Sequence, residues 1–176
     1  MPKFPIHNLK AWIDEHRHLL KPPIGNKVVY EETDDFIVMV VGGPNVRTDY
    51  HYNETEEFFY MVEGNMNLRI QEDGKAVDIH IKEGEIFLLP AKVPHSPQRE
   101  ANSIGIVIER KRESKHTDGL MWFCGECNTQ LYEEYFAMEN IMTQMQGVFE
   151  KFYRSETDRI CKKCGAELIP PEKYRS

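Results

Sequence analysis

All four cysteines of the chain lie after residue 120, as two Cys-x-x-Cys pairs, Cys124 with Cys127 and Cys161 with Cys164. Two such pairs supply four thiolates, which suit a tetrahedral metal site better than two disulfides in a reducing compartment. The local sequences WFCGEC and ICKKCG read as knuckles, with Gly165 permitting a tight turn that aims backbone N–H groups at sulfur. A four-sulfur cage suits zinc or a mononuclear iron, and the ligand types do not choose between them. Such a cage has no open coordination position, so its expected role is structural.

Seven histidines are a second source of chemistry, and five have ordinary explanations. His7 and His116 fall in loops, and His18 lies off the apolar stripe of a first helix. His16 lies on that stripe as a satisfied core histidine, and His80 alternates with Ile79 and Ile81 toward water. His51 and His95 differ. The first begins His51-x-Asn53-x3-Glu57, with Gly64 seven residues further on; the second closes Gly84-x5-Pro90, Val93-Pro94-His95. This pattern resembles the two-part signature of the cupin barrels. It departs at Asn53, which replaces a histidine, at Lys92, which replaces a glycine, and at Arg99, which replaces an asparagine. What remains is His51, Glu57 and His95, a facial triad suited to non-haem Fe²⁺ with three positions free for substrate and O₂. Fe²⁺ with one glutamate leaves a local charge of +1, which favours an anionic chelating ligand. The competing reading is a set of buried polar residues that only hydrogen-bond one another.

The elements that must hold these residues follow from periodicity. Leu9, Trp12, Ile13, His16, Leu19 and Leu20 have helical spacing, ended by Pro22-Pro23. From Lys27 the period becomes two, with expected strands at 27–30, 36–41, 47–51, 57–62, 66–71, 76–81, 85–89 and 104–110. Asp73-Gly74 marks a hairpin. Many short strands with little helix between them predict a mainly β chain, a small antiparallel barrel or jelly roll with flanking helices. Ile141, Met145, Val148, Phe149, Phe152 and Tyr153 predict a helix between the cysteine pairs. The organisation expected is residues 1–120 as first helix plus barrel, and 121–176 as a helical segment with the cysteine knuckles.

Strand parity adds candidates beyond the motif. Arg47 and Asp49 share a face with His51, Pro97 and Arg99 share the parity of His95, and Glu109 lies opposite the Ile104/Ile106/Ile108 face of the last barrel strand. Buried charges are costly unless paired. Arg47 and Arg99 therefore either join a network with Asp49 and Glu109, or wait for a carboxylate held bidentately. Both readings can hold together, with Asp49 orienting an arginine.

Composition excludes several classes. With 22 basic and 29 acidic side chains the net charge is −7, which argues against general nucleic-acid binding. No apolar run approaches a membrane span. The N-terminus, MPKFPIHNLKAW, lacks a signal-like apolar core, so a cytoplasmic protein is expected.

The segments VVGGPNVRTDYH, EEFFYMVEGN, FLLPAKVPHSPQR and VIER, with the two cysteine pairs, resemble the bacterial and fungal 3-hydroxyanthranilate 3,4-dioxygenase family. The likeness runs from WIDEHRHLLKPP to ICKKCG. It implies a homodimeric Fe²⁺-dependent extradiol enzyme that opens 3-hydroxyanthranilate with O₂ to 2-amino-3-carboxymuconate semialdehyde, on the kynurenine route to quinolinate and NAD. It implies a rubredoxin-like second iron at Cys124, Cys127, Cys161 and Cys164, catalytic iron on His51, Glu57 and His95, and substrate contacts at Arg47, Arg99, Glu109 and Glu57. Glu109 is the implied acid/base, and Asn26 and Asp49 are implied supporting residues. Nothing is carried onto residues 112–119. The alternatives are another metal-dependent cupin enzyme, either a different ring-opening dioxygenase or an isomerase, and a non-enzymatic sensor barrel with a zinc-ribbon tail.

Overall fold

A computed structural model describes residues 5–22, 25–137 and 141–175, with backbone alone for 141–144. Pro23 and the side chain of Ile141 lie outside the described residues. Helix α1 (Leu9–His16) starts where the Asn8 side chain accepts a hydrogen bond from the Ala11 N–H at 3.0 Å, satisfying one of the helix's free donors. The α-helix ends at His16, earlier than the Pro22-Pro23 end expected, and a 3-10 turn over Arg17–Leu19 continues it; His16 is stacked on Trp12 with its Nδ1 2.8 Å from the Trp12 carbonyl.

Eleven strands follow among the described residues: β1 (Asn26–Val28), β2 (Phe36–Gly42), β3 (Asp49–Tyr52), β4 (Glu57–Glu63), β5 (Met66–Glu72), β6 (Lys75–Ile81), β7 (Ile86–Leu89), β8 (His95–Arg99), β9 (Ile104–Arg110), β10 (Asp118–Phe123) and β11 (Gln130–Phe136). They form two antiparallel sheets, β1-β2-β9-β4-β7 and β11-β10-β3-β8-β5-β6. This is the mainly β, two-sheet architecture expected. Phe59, Met61, Met66, Leu68, Ile81, Leu89 and Val107 form the core, each on the inward parity of its strand. The hairpin at Asp73-Gly74 has positive φ at both residues, 49° and 74°, the requirement of a type I′ turn.

Three strands escape the periodicity. β8 holds Pro97, and its ladder with β3 is confined to the His51↔His95 pair, so a residue without an N–H interrupts no long ladder there. β10 and β11 lie in the region the sequence reads as helix and knuckles; instead they extend the barrel sheet, β10 pairing with β3 and β11. The run Leu-Met-Trp-Phe before Cys124 has no alternation, because Leu120 and Trp122 pack against helix α2 (Ile141–Arg154) while Met121 is also buried. Val148, Phe152 and Tyr153 supply the α2 side of that contact, as the helical spacing predicts.

The two knuckles repeat one geometry. The N–H of Cys124 bonds the Thr129 carbonyl and the Asn128 N–H returns to the Cys124 carbonyl; Cys161 does the same with Ala166 and Gly165. Asn128 and Gly165 both have positive φ, 55° and 77°, the conformation that asparagine and glycine tolerate best.

Gly42 closes β2 against the end of the first helical segment. A Cβ there would sit 1.9 Å from the Leu20 carbonyl oxygen, a backbone atom that cannot rotate away. Gly42→Ala is expected to cost about 1–3 kcal/mol, read as a lowered thermal or denaturant midpoint; an unchanged midpoint would show that α1 moves freely on the barrel.

Candidate metal centre and anion site

Three strands bring the candidate ligands together. His51 lies on β3, Glu57 opens β4 and His95 opens β8, and each offers a ligand atom within 4.8 Å of the others. All three are buried, at 8%, 7% and 2% exposure. The imidazole centroids are 5.4 Å apart. His95 Nδ1 donates to the Val93 carbonyl at 3.0 Å, which leaves the Nε2 of a neutral ring as a lone pair 3.1 Å from Glu57 Oε2.

The fit to a cation is chemical as well as geometric. Glu57 and Glu109 are directly opposite on β4 and β9, both buried, and like charges in register repel. Burial pushes Glu57 up, but His95, His51 and Arg112 together bring it down to about 2, so it is a carboxylate. Its Oε2 is nevertheless buried without a hydrogen-bond partner. A divalent cation would satisfy that oxygen and offset the repulsion. For Glu109, burial and Glu57 dominate and raise its pKa, with Arg112 opposing.

The two arginines behave differently. Arg47 precedes β3 rather than lying on it: the Gln98 side chain bonds both the N–H and the carbonyl of Arg47, at 3.0 and 2.8 Å, replacing a strand ladder. Its guanidinium pairs with the buried carboxylate of Asp49, Nε lying 3.1 Å from Oδ2. Here the network reading holds. Arg99, at 4% exposure, has no such partner. Its Nε is buried without a hydrogen bond and Nη1 meets only the Met61 sulfur at 3.5 Å. Burial therefore lowers its pKa to about 10, with only Glu57 opposing. Pro97 and Arg99 are in register with Leu68 and Met66 of the core, which places Arg99 on the inward face that His95 shares. A guanidinium held there without an ion pair among the described residues has the chemistry to hold an anion.

Asn26 is exposed at the start of β1, on the wall of a cavity of about 490 Å³ that also includes Val41, Arg47, Asp49, Phe149 and Tyr153. The three metal-ligand candidates are not part of that wall. Asn53, the departure from the cupin pattern, accepts from the Thr55 N–H and hydroxyl and points its amide at Glu109 Oε2, 3.4 Å away. Lys92, another departure, keeps the left-handed backbone (φ 68°) of the glycine it replaces.

Sequence reasoning missed Arg112 and Asp118. Arg112 bridges two buried carboxylates, Nη1 to Glu109 Oε2 and Nη2 to Asp118 Oδ2, each at 2.8 Å. Asp118 in turn lies 2.7 Å from His51 Nε2. The signal available was the single aspartate heading an apolar run, which is where a strand reaching into the barrel would begin.

At the second centre the four cysteine sulfurs also cluster within 4.8 Å. Cys124 to Cys164 and Cys127 to Cys161 are each 3.5 Å, near the edge of about 3.8 Å implied by tetrahedral Zn–S bonds of about 2.3 Å. Hydrogen bonds from the Thr129 hydroxyl and N–H bring Cys127 down to about 6. The Ala166 N–H favours a thiolate at Cys164, yet the crowd of Cys124, Cys127 and Cys161 carries it up to about 12. Four mutually close sulfurs cannot all ionise without a cation.

Two imidazoles and one carboxylate directed together within an antiparallel barrel define a mononuclear metal site of the kind non-haem oxygenases use. A profile of the 3-hydroxyanthranilic acid dioxygenase family matches residues 1–153, and the chain belongs to that family. It is 57% identical over 170 residues to the 3-hydroxyanthranilate 3,4-dioxygenase of Xanthomonas campestris, covering 97% of this chain and 96% of that protein. The Neurospora crassa protein of the same name is 49% identical over 158 residues, covering 90% and 87%. Among solved structures, a cupin-2 domain protein from Shewanella frigidimarina aligns with a TM-score of 0.49 at 19% identity, over 60% of this chain and 95% of that one.

Gly105 leaves the space that Arg99 fills. A Cβ there would lie 2.7 Å from Arg99 Nη1, 3.0 Å from Met61 Sδ and 3.1 Å from the Tyr60 carbonyl. In Gly105→Ala the guanidinium must move. The metal content is expected to hold while affinity for a small aromatic carboxylate falls about 10–100-fold; an unaltered titration would separate Arg99 from anion binding.

Proposed function

We propose that this chain is a 3-hydroxyanthranilate 3,4-dioxygenase whose His51, Glu57 and His95 hold Fe²⁺, consuming O₂ and releasing 2-amino-3-carboxymuconate semialdehyde, which closes to quinolinate and feeds NAD synthesis on the kynurenine route. The observation that carries this reading is Arg99: a buried guanidinium with no ion pair among the described residues and an Nε without a hydrogen bond, in a chain whose relatives are named for an aromatic carboxylate. The substrate carries a carboxylate, an amine and a phenol on adjacent carbons. Arg99 takes the carboxylate, and Arg47, steadied by Asp49 and Gln98, closes the site from its cavity side. Glu109, with its proton affinity raised by burial, accepts the phenol proton on a carboxylate oxygen as the ring docks and returns it later. Arg112 and the Asn53 amide hold that carboxylate in place. Asn26 is assigned a supporting role by family likeness, and it lines the cavity that Arg47 and Asp49 also line. When bound, iron supplies open positions for the phenol, amine and O₂ and the electron transfer that O₂ requires.

The cysteine centre holds a second metal, iron by family likeness, with zinc suited to the same donors. A homodimer is supported by apolar side chains left exposed on the five-stranded sheet, with Ile86 at 66%, Leu88 at 53% and Phe36 at 50%. A cytoplasmic setting is supported by thiolate ligation, which needs reducing conditions; no helix among the described residues is long and apolar enough to cross a membrane.

Reconstitution with Fe²⁺ under anaerobic conditions, addition of 3-hydroxyanthranilate and admission of air tests the reading. Ring-opened product is expected to accumulate, and none from a fully loaded protein would overturn it. His95→Ala should lose the barrel metal and all turnover. Arg99→Ala should keep the metal and lose about 2–5 kcal/mol in kcat/KM; a parental kcat/KM would return Arg99 to a structural role.

A further inference from the structure

The two histidines of the metal group are anchored through opposite nitrogens. His95 is held at Nδ1 by the Val93 carbonyl, 3.0 Å away, and presents Nε2 toward Glu57. His51 is held at Nε2 by Asp118 Oδ2, 2.7 Å away. An imidazole has only two nitrogens, and a neutral one has one donor and one acceptor. With Nε2–H donated to Asp118, the lone pair of His51 is on Nδ1.

The anchor itself is firmly built. Asp118 is fully buried, and Arg112 grips both its oxygens, Nε to Oδ1 and Nη2 to Oδ2 at 2.8 Å each. The remaining arm of Arg112 reaches Glu109 at 2.8 Å. One guanidinium thus fixes both the carboxylate that orients His51 and the carboxylate of the proposed acid/base. Carboxylate–histidine–metal arrangements set ring orientation and strengthen the ligand.

We propose that Asp118, clamped by Arg112, is the positioning residue of the metal centre, fixing His51 so that Nδ1 faces the metal while His95 uses Nε2. This rests on the reading of His51, Glu57 and His95 as metal ligands. The test uses zinc, which is diamagnetic, and ¹⁵N-histidine-labelled protein. Long-range ¹H–¹⁵N spectra of the Zn²⁺-loaded protein should show His51 protonated at Nε2 and metal-bound at Nδ1, with His95 the reverse. A His51 that is metal-bound at Nε2 would overturn the proposal and leave the ligand set standing. If neither His51 nor His95 responds to zinc, the ligand set fails, and the proposal with it.

Variants extend the test without measuring turnover. Asp118→Ala should weaken barrel metal affinity about 10–100-fold, with the four-cysteine metal of the same molecule as an internal control of folding. Asp118→Asn, whose side-chain oxygen still accepts from Nε2–H, should recover part of that loss. Unchanged affinity in Asp118→Ala would reduce Asp118 to a structural partner of Arg112. Should that variant fail to fold, the wild-type spectrum decides alone.

Discussion

Glu57 and Glu109 stand opposite one another on adjacent strands inside the barrel, both removed from water. Like charges directly opposite one another on adjacent strands repel, so the interior must supply positive charge at that point. It does so unequally. Arg112 is committed to the Glu109 side, where it also binds Asp118. Glu57 faces two imidazoles and keeps a buried oxygen without a hydrogen bond. The unbalanced charge falls where a cation would be satisfied, and in the proposed function the two strands take separate tasks: one carboxylate for a metal, one for a proton.

Arg99 carries the same logic with the sign reversed. A guanidinium at 4% exposure without an ion-pair partner among the described residues weakens the fold, because its desolvation is not repaid by a fixed counter-charge. The chain nevertheless makes room for it, with a glycine at position 105 and a thioether at Met61 where larger or more polar groups would either displace it or neutralise it. Arg47 is the contrast: tied to Asp49 and to the Gln98 amide, it is already satisfied and serves a shaped wall more than a strong charge. An arriving carboxylate therefore gains most at Arg99.

Local pattern made the grouping of His51, Glu57 and His95 legible because strand parity is a local property. His51, Glu57 and His95 follow from spacing, and parity alone brings Arg99 and Glu109 to the same interior. Arg47 shows the limit of that argument: it reaches the site from outside the strand, positioned by a side chain 51 residues away. β8 was obscured by its proline, and β10 by a run whose apolar residues are buried on both faces. For Asp118 the local pattern offers only its place at the head of an apolar run, and for Arg112 it offers nothing. Their meaning depends on β10 pairing beside β3, a contact between residues 67 apart, and no local signal specifies that.

The same strand joins the two metal centres mechanically. β10 begins at Asp118, beside His51, and ends at Phe123, immediately before Cys124. Six residues of strand span about 20 Å, and along that length Leu120 and Trp122 are wholly buried against α2, the helix that separates the cysteine pairs in sequence. A metal held by the four cysteines would join the β10–β11 turn to the segment after α2, closing a long loop whose free ends otherwise cost entropy to hold. A structural metal in that position is far from the chemistry in distance but not in connectivity, because it fixes one end of the strand whose other end sets the orientation of His51.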